Sequence, residues 1–267
     1  MRESDPRRQR RRPQHAKPQW TSHRRGAAAD HVIVYGWHSV AAALANPARK
    51  VHRLLATANA ARRLTDEGLK LPAATEVVRP ETIADRLGPD AVHQGLLLEA
   101  DPLPSLELSE LEPEGIVLVL DQITDPHNVG AILRSAAAFA VSAVVTTSRH
   151  SPEATGVLAK AASGALEYVP MVVVPNLARA LEALKDKNVF VVGLDSTGDV
   201  ELAKADLRAP VAIVLGAEGK GLRHLTRTTC DIVARLALPG RLKSLNVSNA
   251  TVLALHIVTA QVSASPS

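Results

Sequence analysis

The strongest constraint on the fold is a regular alternation of short apolar runs with helical patterns in the second half of the chain. Six such runs lie between residues 116 and 239: IVLVL, AVVTT, VPMVVV, VFVVGL, VAIVLG and IVARLALP. Helical patterns separate most of them, at 128–140, 153–166 and 177–187. Strands that are apolar throughout and alternate with helices indicate a parallel sheet with both faces covered. The sequence therefore predicts an α/β fold over 116–267, with function at the loops beyond the carboxyl ends of its strands.

A smaller α/β unit precedes this region. Segments with strand or helix character follow one another at 31–44, 51–57, 58–70, 80–87 and 95–100. Their combined span of about 70 residues is within the size range of a small domain. The next stretch, DPLPSLELSELEPEG, is rich in Pro and Glu, which is typical of a linker. We therefore expect a small α/β domain at 31–100, a linker at 101–115 and the parallel-sheet domain at 116–267.

Positive charge is concentrated at the amino terminus. Residues 1–25 contain nine Arg or Lys side chains against Glu3 and Asp5, a net charge of +7, whereas the whole chain carries +4. No apolar segment follows PRRQRRRPQ, so this stretch is not a signal peptide. We expect residues 1–30 to form a disordered basic tail that neutralises RNA phosphates; the alternative is a solvated tail without a specific role.

Composition excludes several other classes of protein. No window approaches 18 uninterrupted apolar residues, which excludes a membrane span. Cys230 is the single cysteine, so the chain has no internal disulfide and no Cys-rich metal site, and we interpret this thiol as buried and inert. This cysteine usage fits a cytoplasmic protein. No spaced set of His or carboxylate residues suits a metal site, so we expect no metal.

The first polar loop of the larger domain follows the strand that ends near Asp121 and reads DPHNVGAILRSA (125–136). An apolar stripe at helical spacing follows, formed by Val129, Ile132, Leu133, Ala136, Ala137 and Ala140. Asn128 is either the N-cap of this helix or a site residue. Arg134 lies off the stripe, so it either faces solvent or reaches the crevice at the sheet edge. His127 is interpreted as a turn residue rather than a general base.

The second loop, VLGAEGKGL (214–222), is rich in glycine. Gly216, Gly219 and Gly221 allow the backbone to turn sharply and to approach a ligand closely. The spacing G-x-x-G-x-G differs from the dinucleotide fingerprint and from a Walker A loop. Its late place in the chain also disfavours an ordinary Rossmann methyltransferase acting on a small molecule. Glu218, inside the loop, is either a surface residue or a functional acid.

The third loop lies in LALPGRLKSLNVSNATVLAL (236–255), where short polar side chains crowd the expected start of an apolar helix. Ser244, Asn246, Ser248 and Asn249 fall within six positions. Capping a helix needs only one such residue. The surplus indicates a loop that faces a ligand.

Together the three loops resemble the SpoU (TrmH-type) branch of the SPOUT RNA 2′-O-ribose methyltransferases. DPHNVGAILRSA, LGAEGKG and LPGRLKSLNVSNA match the family's three signatures in their order and rough intervals, and the resemblance spans about 113–262. Through YGWHSVAAAL and HQGLLLEA, the first unit resembles the ribosomal-protein-like RNA-binding domain of many members. The departures are mild: Pro239 and Gly240 are adjacent, and Lys243 stands where an acidic or small residue is common.

The resemblance implies a trefoil-knotted domain that binds S-adenosylmethionine and methylates a ribose 2′-hydroxyl without a metal. It places Arg134 at the family's catalytic arginine, which is expected to hold the substrate phosphate and to assist deprotonation. The other implied active-site residues are Asn128, Glu218, Ser244 and Asn246. The implied cofactor-binding residues are Leu194, Gly216, Gly219, Leu238 and Leu245. The residues from Val252 onward are expected to pack on the sheet or on a second subunit.

The expected partners are RNA and a second copy of the chain in a homodimer. The most favoured substrate is a guanosine in 23S rRNA, and a tRNA or another rRNA site is the alternative. A non-catalytic RNA-binding relative that has kept the fold is the rival from another class of protein. The presence of Asn128, Arg134, Glu218 and Asn246 disfavours that rival.

Overall fold

The computed structural model describes residues 31–88, 90–104, 106–148 and 156–264. The basic tail expected at 1–30 lies outside the described residues. The described chain forms two sheets, of four and of seven strands. In these ranges no helix is long and apolar enough to cross a membrane.

The four-stranded sheet belongs to the first part of the chain. Its elements are β1 (Val32–Tyr35), α1 (Trp37–Ala45), β2 (Val51–Ala56), α2 (Ala58–Asp66), β3 (Thr75–Val77), α3 (Pro80–Leu87) and β4 (Leu96–Ala100). The strand order is β1-β4-β2-β3, with β4 antiparallel to both of its neighbours. Val40, Leu54, Leu64 and Leu98 are fully buried in its core. The segments that the sequence assigned to strands or helices form such elements here, and only β3, which is short and largely exposed, had no signal in the sequence.

The seven-stranded sheet follows. Its strands are β5 (Ile116–Asp121), β6 (Ala143–Thr147), β7 (Met171–Val174), β8 (Phe190–Leu194), β9 (Val200–Glu201), β10 (Val211–Gly216) and β11 (Ile232–Arg235). Its helices are α4 (Pro126–Ala138), α5 (Gly156–Ala161), α6 (Leu177–Asp186), α7 (His224–Thr229) and α8 (Val247–Ala264). The order is β7-β6-β5-β10-β8-β11-β9, and every pairing in it is parallel.

Both faces of this sheet are covered, as the apolar strands predicted. Along β5, Leu118 packs into one hydrophobic cluster, whereas Val117 and Val119 pack into another on the opposite face. Successive strand residues point to opposite faces, so a strand that is apolar throughout needs cover on both. The predicted parallel α/β sheet is therefore confirmed.

Helix α4 begins earlier than its apolar stripe suggested. The Asp125 carboxylate accepts a hydrogen bond from the backbone N–H of His127 (3.0 Å), which makes Asp125 the N-cap. Asn128 is therefore not the N-cap but a residue of the first turn. At the other end Ala140 is exposed with φ 51°, beyond the last helical residue Ala138, so it does not extend the buried stripe.

The helical pattern predicted over 153–166 is interrupted. Within the described part, α5 ends at Ala161 and a short 3₁₀ turn follows at Ala165–Glu167. Gly164 separates them with φ 87°, where an added Cβ would lie 2.6 Å from the Cβ of Ala42. The close contact with α1 thus requires glycine at this position. A contact with a distant helix cannot be predicted from the local helical pattern.

The final apolar stretch forms one long helix, α8, that packs along one side. Thr251, Ala254, Leu255 and Val258 are buried, and the last three belong to the hydrophobic core. Val252, expected to begin the packed part, is 44 % exposed. The helix therefore uses one face against its own domain and leaves another face open.

A buried ion pair joins the two parts of the chain. Arg49, between α1 and β2, pairs with Glu167 at 2.5 Å, and the two side chains are only 5 % and 3 % exposed. Asn46 also donates to Glu167 (2.8 Å), and Arg49 donates to the backbone carbonyl of Asp101 (2.8 Å). The sheet of 31–100 is thus fastened to the 3₁₀ turn beside α5.

Candidate active site

A cavity of about 540 Å³ lies beyond the carboxyl ends of β8 and β10. The segment that follows β11 forms its remaining wall. All five residues that the sequence predicted for cofactor binding line it: Leu194, Gly216, Gly219, Leu238 and Leu245. Glu218 and Ser244 line it as well. Segments from three parts of the sequence thus meet in one pocket, at the sheet edge where ligands of parallel α/β folds bind.

The glycine loop folds back on itself at the mouth of this cavity. An added Cβ on Gly216 would lie 2.3 Å from the carbonyl carbon of Gly221, and one on Gly221 would lie 2.6 Å from Oδ2 of Asp195. Gly221 also has φ 64°, and its N–H donates to the carbonyl of Ala217 (2.9 Å). These positions therefore need glycine for close backbone approach as well as for conformation.

Three of the predicted active-site residues are hydrogen-bonded to one another. Nδ2 of Asn246 donates to Oε1 of Glu218 (2.6 Å) and to Oδ1 of Asn128 (3.0 Å). Nδ2 of Asn128 donates in turn to Oε1 of Glu218 (3.3 Å). Each residue comes from a different one of the three sequence motifs. This Asn–Glu–Asn cluster, formed by Asn128, Glu218 and Asn246, therefore holds the three loops together.

The same cluster begins helix α8. Oδ1 of Asn246 accepts from the backbone N–H (2.9 Å) and the hydroxyl (2.6 Å) of Ser248, which is the bonding pattern of an N-cap. Oε1 of Glu218 accepts from the N–H of Val247 (3.2 Å), so a negative charge lies at the positive end of the helix. Two roles account for polar residues at this point. Asn246 and Ser248 form the cap of α8, Asn246 also bonds to the neighbouring loops, and Ser244 lines the cavity.

Asp195 is a site residue that the sequence analysis missed. It lines the cavity directly after β8, together with Ser196 and Thr197. Burial acts to raise the pKa of its carboxyl, but hydrogen bonds from Thr197 and Leu222 and the charge of Arg227 outweigh burial and hold the pKa below its usual value. The carboxylate is therefore ionised in the cavity wall. The sequence feature that could have indicated Asp195 is the position of an acidic residue directly after a buried strand.

The carboxylate of Asp121, at the end of β5, binds the arginine that follows the glycine loop. This carboxylate is fully buried and accepts from Nε (2.6 Å) and from the backbone N–H (3.0 Å) of Arg223. The sequence marked Asp121 as a strand end but gave no signal for Arg223. This pair fixes the chain where it leaves the glycine loop.

Arg134 lies on the exposed side of α4, off the buried stripe, as predicted. It follows Asn128 by six residues, which corresponds to a rise of about 9 Å along a helix axis. Within the described part of the chain, its guanidinium has no hydrogen-bond or ion-pair partner. It does not line the cavity, and a second molecule can reach it.

Two other residues differ in part from what the sequence predicted: His127 lies in a helix rather than a turn, and Cys230 is only partly buried. His127 is exposed in the first turn of α4. Burial, followed by the charge of Asp231, raises the pKa of Cys230 to about 12, so this thiol stays protonated and unreactive.

Together, the fold and the site define a class of α/β protein. Such a protein has a second, smaller sheet. A glycine loop and the C-terminal segment of the chain form walls of its ligand pocket. Comparison with known proteins gives the family. Residues 115–256 match the model of the SpoU rRNA methylase family, and residues 33–106 match the model described as RNA 2′-O ribose methyltransferase substrate binding. The chain belongs to the SpoU rRNA methylase family, which confirms the resemblance found in its three motifs.

Similar proteins span nearly the same length. A 23S rRNA (guanosine-2′-O-)-methyltransferase RlmB from Ralstonia nicotianae is 38 % identical over 248 residues, covering 88 % of this chain and 97 % of the relative. The protein of the same name from Pseudomonas aeruginosa is 40 % identical over 243 residues, covering 85 % and 96 %.

Solved structures share the fold. The SpoU methyltransferase AviRb from Streptomyces viridochromogenes, in complex with AdoMet, superposes with a TM-score of 0.74 at 21 % identity, covering 86 % of this chain and 90 % of that one. An AdoMet-bound rRNA methyltransferase from Sinorhizobium meliloti gives 0.73 at 20 % identity, covering 86 % and 87 %. The α/β fold of the chain is thus one already seen in solved methyltransferase structures.

Proposed function

We propose that this protein transfers a methyl group from S-adenosylmethionine to the ribose 2′-hydroxyl of a guanosine in 23S rRNA. The observation that carries the proposal is the Asn–Glu–Asn cluster, which joins the three family motifs at the edge of the cavity. The relatives named for this reaction are 38–40 % identical and nearly fully covered. A methyl transfer to tRNA or to another rRNA site uses the same cluster and is the alternative.

The cavity fits the proposed cofactor. Its volume of about 540 Å³ falls in the range of small-molecule sites, and its wall combines apolar side chains with a few polar groups. Leu194, Leu238 and Leu245 offer the apolar surface that an adenine ring requires. Asp195 and Glu218 place carboxylates in the same wall, which suits a ligand with positive sulfonium and ammonium groups. When bound, S-adenosylmethionine supplies a methyl group already activated by the positive charge on sulfur.

The chain's own residues then bind and orient the reactants. The Asn–Glu–Asn cluster keeps the loops of the cavity wall in one arrangement, which matters because small misalignments are costly in a displacement at carbon. Arg134, whose guanidinium has no partner among the described residues, holds an RNA phosphate through two parallel hydrogen bonds. An arginine stays protonated and cannot accept the 2′-hydroxyl proton, so it stabilises the negative charge that develops on the oxygen while the proton passes to water.

We propose in addition that the C-terminal segment is knotted, as in the family that the motifs resemble. Residues 236–246 leave β11 inside the sheet and return to Glu218 and Asn128 across the loops that follow β8 and β10. The segment meets both loops in the cavity wall, which contains Asp195 after β8, Glu218 after β10 and Leu238 after β11. A threaded segment accounts for a cavity wall built by residues from both sides of that crossing.

For the first sheet we propose a substrate RNA-binding role. The match of residues 33–106 to a substrate-binding model supports a domain at 31–100, with the linker at 101–115 and the methyltransferase domain at 116–267. The basic tail at 1–30 adds phosphate contacts. A protein that acts on rRNA would work in the cytoplasm, where ribosomes are assembled.

A homodimer is the proposed assembly. Leu242 is 83 % exposed, Leu245 42 % and Val252 44 %, and all three lie on the stretch that closes the cavity and begins α8. Exposed apolar residues that lie close together on one short segment are typical of a protein interface. Association through this surface would place the cavity beside the second subunit.

Calorimetry with S-adenosylmethionine in EDTA tests the first requirement of this function. We expect saturable binding without any divalent ion, because every cofactor contact proposed above comes from side chains or backbone. A non-catalytic relative without the pocket chemistry would bind none. Mapping 2′-O-methyl groups in RNA from a deletion strain then identifies the nucleotide: loss at a 23S guanosine supports the proposal, and loss in a tRNA supports the alternative.

A further inference from the structure

A second set of chemically active side chains lies in the four-stranded sheet, apart from the cavity. His31, His52 and Asp101 each offer one nitrogen or oxygen, and these three atoms lie within 4.8 Å of one another. Nε2 of His52 is 2.5 Å and Nδ1 of His31 is 3.4 Å from Oδ1 of Asp101. The two imidazole rings have centroids 3.9 Å apart.

The sheet brings these residues together from three separate strands. His31 directly precedes β1, His52 lies in β2, and Asp101 directly follows β4, which runs between the other two. Val32 and Val51 both pair with Ala100, the residue before Asp101. The three side chains therefore belong to neighbouring positions at one end of the sheet.

An irregularity in β2 sets the direction of His52. The register with β4 shifts between Val51 and Arg53, so that His52 is the extra residue of a β-bulge. A bulge takes one residue out of the alternation of the strand and redirects its side chain, and bulges are over-represented beside functional sites. In this sheet the redirected side chain is the one that reaches Asp101.

Two imidazoles and a carboxylate are a ligand set that Zn²⁺ prefers. In tetrahedral coordination, ligand atoms at about 2.0–2.1 Å from the ion lie about 3.3 Å apart. The 3.4 Å distance between His31 and Asp101 meets this requirement, and the His52 contact needs to lengthen by less than 1 Å. The side chains are 30–35 % exposed, which leaves access for a water as fourth ligand.

The second carboxylate oxygen of Asp101 is paired with a lysine, so the oxygen that faces the two histidines remains available. Nζ of Lys50 lies 3.4 Å from Oδ2, whereas both histidines face Oδ1. Asp101 therefore has one carboxylate oxygen directed at the two imidazoles.

We propose that His31, His52 and Asp101 bind a single Zn²⁺ ion through Nδ1, Nε2 and Oδ1, with water as the fourth ligand. The ion would tie the point where the chain enters β1, after the basic tail, to the point where it leaves β4 for the linker. This proposal departs from the expectation, drawn from the sequence, that the chain holds no metal. The ligands are 21 and 49 residues apart, in or next to three different strands, so no local spacing reveals them.

Zinc titration of the full-length protein, stripped with EDTA and dialysed, tests the site. In competition with a chromophoric chelator we expect one Zn²⁺ per chain, and Co²⁺ substitution is expected to give the visible bands of a four-coordinate ion. His52→Ala and His31→Ala should each weaken Zn²⁺ binding at least tenfold and remove those bands. The matched control is His38→Ala, an exposed histidine of α1 in the same sheet domain, which should bind like wild type.

Two results would overturn the proposal. One is wild-type protein that takes up no Zn²⁺. The other is unchanged uptake by both His31→Ala and His52→Ala, which would assign the ion to other groups such as the histidines of the tail. His31 lies outside the core, so its removal leaves the sheet folded and the measurement interpretable even if His52→Ala is unstable. S-adenosylmethionine binding in EDTA is expected to be unaffected in all variants, which separates this site from the proposed active site.

Discussion

Asn246 joins Glu218 to Asn128 through a single amide nitrogen, at 2.6 Å and 3.0 Å, while its oxygen caps helix α8. Three motifs that are far apart in the sequence are thereby fixed against one another at one point. The wall of the cavity and the start of the C-terminal helix depend on the same side chain. The order of the cavity and the stability of α8 should consequently change together.

Asn246→Ala tests this coupling. The substitution removes the N-cap and the donor to Glu218, so we expect a loss of about 1–2 kcal/mol in the free energy of unfolding. We also expect S-adenosylmethionine to bind at least tenfold more weakly, measured by calorimetry. Asn249→Ala is the matched control, because Asn249 is exposed three positions further along and should change stability by less than about 0.5 kcal/mol. Equal cofactor affinity in the two variants would show that the cluster does not organise the cavity.

The Arg49–Glu167 pair provides a second test, directed at the junction between the two sheets. Glu167→Ala leaves a guanidinium buried without its partner, and such a change costs about 3–5 kcal/mol. Chemical denaturation monitored by circular dichroism should show this loss. Glu182→Ala, at an exposed position of α6, should have little effect. A similarly small effect of Glu167→Ala would mean that the pair contributes no net stability.

The basic tail is expected to act on RNA binding alone. Removal of residues 1–25 deletes a net charge of +7, and the log–log salt slope falls by about 0.7–0.9 for each phosphate that the shortened protein no longer neutralises. We therefore expect weaker RNA binding with a flatter salt dependence, measured by filter binding across a salt series. Cofactor affinity should be the same with and without the tail. An unchanged slope would identify the tail as a solvated segment without an RNA role.

Leu242 tests the proposed homodimer. Light scattering of the wild type should give about twice the chain mass of 28.3 kDa, and Leu242→Glu should shift the protein toward the single-chain mass. The physical reason is that a charge placed on a buried apolar contact is costly to desolvate. Val77→Glu, at an exposed position of the first sheet, is the control and should remain dimeric. A wild type that is monomeric at micromolar concentration would contradict the assembly.

Sequence patterns predicted the architecture of the larger domain because its strands are continuous apolar runs. They failed to predict local features that depend on contacts between residues far apart in the sequence. Asp125 rather than Asn128 caps α4, because Asn128 is engaged by Glu218 from 90 residues away. The helical pattern predicted over 153–166 is interrupted before Gly164, where close packing of α1 requires a glycine. Neither contact can be read from local periodicity.

The prediction of site residues had the same limit, because it could use only local sequence patterns. Residues inside the three motifs could be predicted as candidates, because each motif has more glycine or short polar residues than its local structure needs. Asp195 and Arg223 were missed, since one acidic residue after a strand and one basic residue after a glycine loop are ordinary in isolation. The His31, His52 and Asp101 set was missed because only strand pairing brings these residues together.

Arg134 is the residue on which the proposed chemistry depends most directly. Arg134→Ala should fold and bind S-adenosylmethionine like wild type, because the side chain is exposed and contributes little to stability. Arg134→Lys keeps the charge but loses the planar fork that holds a phosphate through two bonds, so it should also be severely impaired. Arg179→Ala, an exposed arginine of α6, is the matched control and should retain activity.

The decisive measurement is a single-turnover assay with tritiated S-adenosylmethionine and unmodified 23S rRNA. We predict that the wild type and Arg179→Ala form 2′-O-methylguanosine, whereas Arg134→Ala is slower by at least a hundredfold at saturating cofactor. A wild-type rate for Arg134→Ala would contradict the proposed role of this arginine, and a wild-type protein that binds cofactor but methylates neither 23S rRNA nor tRNA would contradict the proposed function itself.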